Sequence, residues 1–160
     1  MYSEILEIKD IYNKYKNELS YIPFREVNNF KIDNSVKQLG RCCVNNEEIT
    51  IGISRLLFKD DQELKNTILH EMIHTIVGCC NHGMLWKQYA TIVTKATGHE
   101  ITRTGCVSSI IKKEMVGKAK YIVTCDKCNR KIYRYKKSKL VTESYYYLCE
   151  CGGSFTVEEN

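Results

Sequence analysis

Apolar residues recur along this chain at two spacings, and each spacing predicts a different kind of element. Ile5, Leu6, Ile8, Ile11, Tyr12, Tyr15 and Leu19 lie mostly three or four apart, on one side of an amphipathic helix over residues 3–19. Pro23, the single proline, has no backbone N–H and breaks any continuation. Short strands are expected at 27–32, 40–44 and 48–54. The last is clearest, because Ile49, Ile51 and Ile53 alternate with Thr50, Gly52 and Ser54. Asn45-Asn46 supplies the turn before it. Leu64, Ile68, Leu69, Met72, Ile73 and Ile76 restore the helical period over 62–77, with Asp60 or Asp61 as N-cap and Gly78 as the stop. A third helix is expected at 84–97, ending at Gly98. Residues 99–120 mix Thr, Ser, Gly and Lys around an apolar patch at 107–111 and read as a connecting segment. Further on, 131–135 and 144–148 read as strands. The order of elements predicts an α+β fold, with a main domain at 1–117 and a β-hairpin module at 118–160.

The second predicted helix carries chemistry. His70-Glu71-Met72-Ile73-His74 is the H-E-x-x-H pattern of zinc hydrolases. Two histidines four apart project from one helical face and can reach one ion. Glu71 stands beside them, where it can take a proton from a water activated by the metal. A catalytic zinc usually has three protein ligands. Cys80, His82, His99 and Glu100 are the downstream candidates. The metzincin pattern needs a histidine at position 80 and a glycine at 77. This chain has Cys80 and Val77 there, so that pattern fails. His82 lies just past Gly78, where a short reversal could bring it back over the ion.

The stretch from His70 to Trp86, with His82 followed by Gly83 and then Trp86, resembles the SprT-like metalloprotease family of bacterial SprT and Spartan proteins. The resemblance implies a small zincin-like domain: a first helix, a small antiparallel sheet including Leu39-Gly40-Arg41, then the zinc helix. It implies His70, His74 and His82 as zinc ligands and Glu71 as the catalytic base. Trp86 is expected to pack beside the site. Cys79 and Cys80 are expected as small buried side chains, and Cys42, Cys43 and Cys106 as packing residues.

The chain has nine cysteines, an odd number that suits metal sites better than a disulfide scaffold. Cys125-x-x-Cys128 and Cys149-x-Cys151 stand about twenty residues apart, as in a zinc ribbon with a knuckle at each base of a hairpin. Members of the family resembled commonly end in such a ribbon with C-x-x-C in both pairs. The second pair here is one residue shorter, and Gly152-Gly153 follow it. Two zinc ions are therefore expected, one catalytic and one structural.

Charge separates the two parts. The net charge is +5. Residues 1–117 hold 15 Lys/Arg against 14 Asp/Glu, and residues 118–160 hold 9 against 5. In the module, Arg130, Lys131, Arg134, Lys136, Lys137 and Lys139 interleave with Tyr133 and Tyr135. Tyr121, Tyr145, Tyr146 and Tyr147 add further rings. Cations for phosphates beside aromatic faces for bases suit single-stranded DNA. The Spartan resemblance implies protein substrates crosslinked to or bound on DNA. Two rivals have different chemistry: a zinc peptidase with a dedicated regulatory target, and a non-catalytic nucleic-acid-binding zinc protein. The start MYSEILEIKD is not a secretory signal and no run is long enough to cross a bilayer, which favours a cytoplasmic protein, nucleoid-associated or nuclear.

Overall fold

A computed structural model describes residues 2–103 and 109–160. They gather into two compact units, Met1–Ile111 and Lys112–Asn160. The fold class is α+β.

In unit 1, helix α1 spans Tyr2–Glu18 and strands β1, β2 and β3 span Asn29–Asp33, Gly40–Asn45 and Glu48–Ser54. The strand order is β1-β3-β2, with β2 antiparallel to β3 and β1 parallel to it. The parallel pair departs from the all-antiparallel sheet expected, because residues 34–39 return the chain past β3 before β2 begins. As the central strand, β3 is covered on both faces, and Ile49, Ile51 and Ile53 are fully buried. Helix α1 contributes Ile8, Tyr12 and Tyr15 to the same core. The Tyr12 hydroxyl accepts the Val27 amide at 3.2 Å, and its ring meets Phe30 edge-on.

A single 3-10 turn, Arg55–Lys59, leads to helix α2, Asp61–His74. Asp60 is its N-cap, and its carboxylate accepts the Glu63 amide at 3.1 Å. Such a cap is worth about 1 kcal/mol. Leu64, Ile68, Leu69, Met72 and Ile73 form the buried stripe. The helix stops at His74, earlier than its apolar period suggested. The amides of Thr75 and Ile76 bond to the carbonyls of Met72 and Ile73, three residues back, so the last turn tightens. Gly78 then takes a φ of +86°, a conformation that side chains rarely adopt, and reverses the chain. Helix α3, Met84–Thr97, ends at Gly98 in the left-handed conformation. Its Trp86, Ala90 and Val93 close the core.

Helix α4, Ser109–Gly117, occupies part of the segment expected to be only a connector. Cys106 and the beginning of the 107–111 patch lie outside the described residues. In unit 2, strands β4 (Tyr121–Cys125), β5 (Lys131–Arg134) and β6 (Phe155–Glu159) form an antiparallel sheet in the order β5-β4-β6. The expected strand at 144–148 is absent. Residues Ser144–Tyr146 form a 3-10 turn after a short helix α5, Lys139–Thr142, and only Leu148 makes a bridge, to Ser154. The partner across β4 is instead Phe155–Glu159, beyond the second cysteine pair. No described helix is long and apolar enough to cross a membrane.

Candidate functional site

Helix α2 carries His70 and His74 one turn apart, and the reversal at Gly78 returns His82 to them. The three Nε2 atoms form a small triangle: 3.2 Å from His70 to His74, 3.2 Å from His74 to His82, and 2.9 Å from His82 to His70. Nitrogens held by one tetrahedral zinc at about 2.05 Å stand about 3.3 Å apart. The triangle is thus close to the edge lengths that such an ion demands.

Main-chain carbonyls fix two of the rings. His70 Nδ1 lies 3.1 Å from the Thr102 carbonyl, and His74 Nδ1 lies 2.6 Å from the Cys79 carbonyl. A carbonyl can only accept, so each Nδ1 carries the proton and each Nε2 presents its lone pair inward. Burial lowers the His70 pKa to about 4, helped by His74 and His82, which keeps the ring neutral. His82 is lowered by burial, by His74 and by Arg103. Trp86 lies under all three imidazoles, with ring centroids 4.7, 5.7 and 4.6 Å from His70, His74 and His82. Only 1% of it is exposed, so it packs beside the site as its position suggested.

Glu71 points from the same helix turn into the gap between α2 and β2. It is buried, and burial pushes its carboxyl up to about 8 while the Cys42 amide pulls partly the other way. A divalent cation on the adjacent imidazoles would favour the carboxylate and draw that value down towards neutrality. Gly40 makes the arrangement possible. A Cβ there would stand 2.5 Å from Thr67 Cγ2 and 2.6 Å from Glu71 Oε1, so β2 approaches the carboxylate this closely only without a side chain.

The other candidates for a third ligand lie elsewhere. His99 is held by the Tyr15 hydroxyl at 2.5 Å and by Asn66 and Gln62, each at 2.9 Å. Cys80 and Glu100 are exposed, and neither joins the histidine group among the described residues. Cys80 was expected to be buried. Instead, the turn after Gly78 buries Cys79 and turns its neighbour outward. Cys43 is exposed too, because it lies on an edge strand, and Cys42 is half-buried.

Unit 2 brings Cys125, Cys128, Cys149 and Cys151 together. The Sγ atoms of Cys125 and Cys151 are 3.5 Å apart, and those of Cys128 and Cys149 are 3.7 Å apart. These are too long for disulfides and close to the roughly 3.8 Å edge of a tetrahedral zinc thiolate site. The first knuckle is the β4–β5 turn, closed by the Cys125 amide on the Arg130 carbonyl, with Asn129 at φ +55°. The amides of Cys128 and Lys127 lower the Cys125 thiol to about 7. The shorter second pair is accommodated by a tight turn, with the Cys149 amide on the Gly153 carbonyl and the Gly152 amide on the Cys149 carbonyl, both at 2.8 Å. Gly153 has no room for a Cβ, which would lie 2.6 Å from Cys125 Sγ. Asp126 and Ser154 tie the knuckles together reciprocally, through Asp126 N–H on the Ser154 carbonyl and Ser154 N–H on the Asp126 carboxylate.

The basic residues of unit 2 are not equally available. Lys131, Lys136, Lys137 and Lys139 are exposed. Arg130 pairs with Glu150 at 2.9 Å, and Arg134 folds onto the Tyr133 carbonyl at 3.3 Å. Tyr133 and Tyr135 are half-buried. The open aromatic faces are Tyr145 and Tyr146, 73% and 74% exposed, with ring centroids 4.4 Å apart. The Thr102 and Cys79 carbonyls and the Cys42 amide gave no signal in the sequence, because backbone groups carry no residue identity.

A family model described as the SprT-like family matches residues 8–105, well over half of the chain. A comparison with curated proteins gave no match. The chain belongs to the SprT-like family, and its matched part is a metallopeptidase-like domain. The matched stretch contains His70, Glu71, His74 and His82, and it ends before unit 2 begins.

Proposed function

We propose that this SprT-like protein is a zinc metalloendopeptidase that cleaves proteins bound or crosslinked to DNA. The observation that carries the peptidase half is the histidine triangle with a buried carboxylate on the next residue of the same helix turn. When bound, zinc supplies a Lewis acid that acidifies a water and polarises a peptide carbonyl. His70, His74 and His82 would hold it, leaving a fourth direction open to solvent and substrate. The Glu71 carboxylate accepts the proton of the attacking water. It then delivers that proton to the departing amine, and its raised pKa suits both transfers near neutral pH. The Thr102 and Cys79 carbonyls keep the imidazoles aimed throughout.

The DNA half draws support from unit 2. Four cysteines suit a structural zinc that folds a small module. The module exposes Lys131, Lys136, Lys137 and Lys139, together with the Tyr145–Tyr146 pair. Lysines contact phosphates and open tyrosine faces stack on unpaired bases, so single-stranded DNA fits best.

The test is proteolysis of a DNA-binding protein by the zinc-loaded chain with single-stranded, double-stranded or no DNA, beside Glu71→Gln. Cleavage that needs both DNA and Glu71 supports the reading. Cleavage indifferent to DNA points to a peptidase with a dedicated protein target. DNA binding with zinc present but no cleavage points to a non-catalytic binding protein.

A further inference from the structure

An open groove of about 510 Å³ runs along helix α3, between its Ala90–Thr91–Thr94 side and the segment Ile101–Thr102. It shares two residues with the histidine site. Trp86 lines one end of it and lies against all three imidazoles. Thr102 lines its wall and holds His70 through its carbonyl. Anything seated in the groove therefore touches the residues that support the histidine cluster.

The lining has a definite character. Its accessible surface is predominantly apolar, and the charged groups around it are Lys87, Lys95 and Arg103 against the single acid Glu100. The volume is in the range of ligand sites and exceeds what one side chain fills. A net positive rim over an apolar floor complements a short chain segment with aliphatic side chains flanked by carboxylates. Nucleic acid fits poorly. Stacking requires an open aromatic face, and the only aromatic residue in the lining, Trp86, is 1% exposed. Glu100 would also meet any phosphate chain that follows the groove.

We infer that this groove is a substrate subsite that takes an acidic, leucine-like stretch of the polypeptide next to the bond to be cut. The inference rests on the peptidase reading for its role, while occupancy of the groove can be measured without turnover. The charge rim selects the segment and the apolar floor holds it.

The experiment is fluorescence anisotropy with the zinc-loaded, full-length Glu71→Gln protein. The probes are a fluorescein-labelled peptide carrying Leu-Leu between glutamates and its lysine counterpart. The glutamate peptide should bind about tenfold more tightly, as expected for a few rim charges acting together. Lys87→Glu combined with Lys95→Glu should invert the preference. Thr91→Trp, at an exposed helical position on the wall, should weaken both peptides by filling the space. Lys9→Glu combined with Lys37→Glu, an equal charge change at exposed positions outside the groove, should leave the preference as it was. Equal binding of the two peptides, or a preference untouched by the lysine reversal and by Thr91→Trp, overturns the subsite. The wild-type chain is then given the glutamate peptide. Groove-dependent binding without cleavage keeps the subsite and sinks the peptidase reading. Cleavage whose peptide preference ignores the groove variants does the reverse.

Discussion

The two candidate metal clusters differ less in the spacing of their donor atoms than in what surrounds those donors. The cysteine cluster is closed: four sulfurs, two tight turns, and a reciprocal Asp126–Ser154 clasp use up the polar groups nearby. The histidine cluster has three donors instead of four, with a buried carboxylate on the next residue and a groove against its supporting residues. A closed site contributes its binding free energy to folding, whereas an open one can offer it to a substrate. In the proposed reading, a similar donor geometry is directed to two ends by its neighbours.

Breaking the closed cluster should have the largest effect. Cys149→Ala should release its metal and unfold unit 2, since a structural zinc contributes about 10–16 kcal/mol of apparent binding free energy to a small domain. The check is loss of dispersed amide resonances from 112–160, with those of 2–103 retained. If unit 2 stays folded without metal, the contrast drawn above collapses. Next in size, Glu71→Gln should leave zinc content and melting nearly unchanged but slow peptide hydrolysis by at least about 10²–10⁴-fold. A variant that cleaves like the parent would remove Glu71 from the chemistry.

Smaller effects sharpen the comparison. Gly40→Ala forces a methyl group against Thr67 and Glu71. It should lower kcat by up to about a hundredfold, the scale of a misplacement of about 1 Å, with zinc content kept. The smallest expected effect is a pH signature confined to unit 1. In metal-free protein, Glu71 titrates near 8 when folded and near 4.5 when unfolded. Between those values the folded chain holds a proton that the unfolded chain releases, so stability falls as pH rises. His70, lowered from 6.5 to about 4, acts oppositely below 6.5. From pH 6.5 to 8 the melting temperature of unit 1 should therefore drop, and Glu71→Gln should flatten that slope.

The parts legible in the sequence are those fixed by short covalent spacing. His70, Glu71 and His74 share a helix turn, and Gly78 announces the reversal that recovers His82. Asp60 was readable as a cap because its carboxylate acts only three residues away. The parts missed depend on distant partners. Tyr145, Tyr146 and Tyr147 have the composition of a strand, yet the knuckle at Cys149 turns the chain before it can pair, and Phe155–Glu159 takes the place beside β4. Helix α4 was hidden because its nine residues are too few to establish a period within a mixed segment. The sheet's parallel pair depends on how the chain returns between β1 and β2, which no residue type announces.

Trp86 has a consequence of another kind. It is the only tryptophan in the chain, and it lies within 6 Å of three imidazoles between ring centroids. Indole emission is sensitive to the charge of rings this close, so the molecule carries its own optical gauge. Excited selectively, it reports events at the histidine cluster, while unit 2, whose aromatics are tyrosines and Phe155, contributes no indole signal. Zinc arrival, zinc loss and imidazole protonation can thus be followed in real time on the unlabelled, unmodified protein.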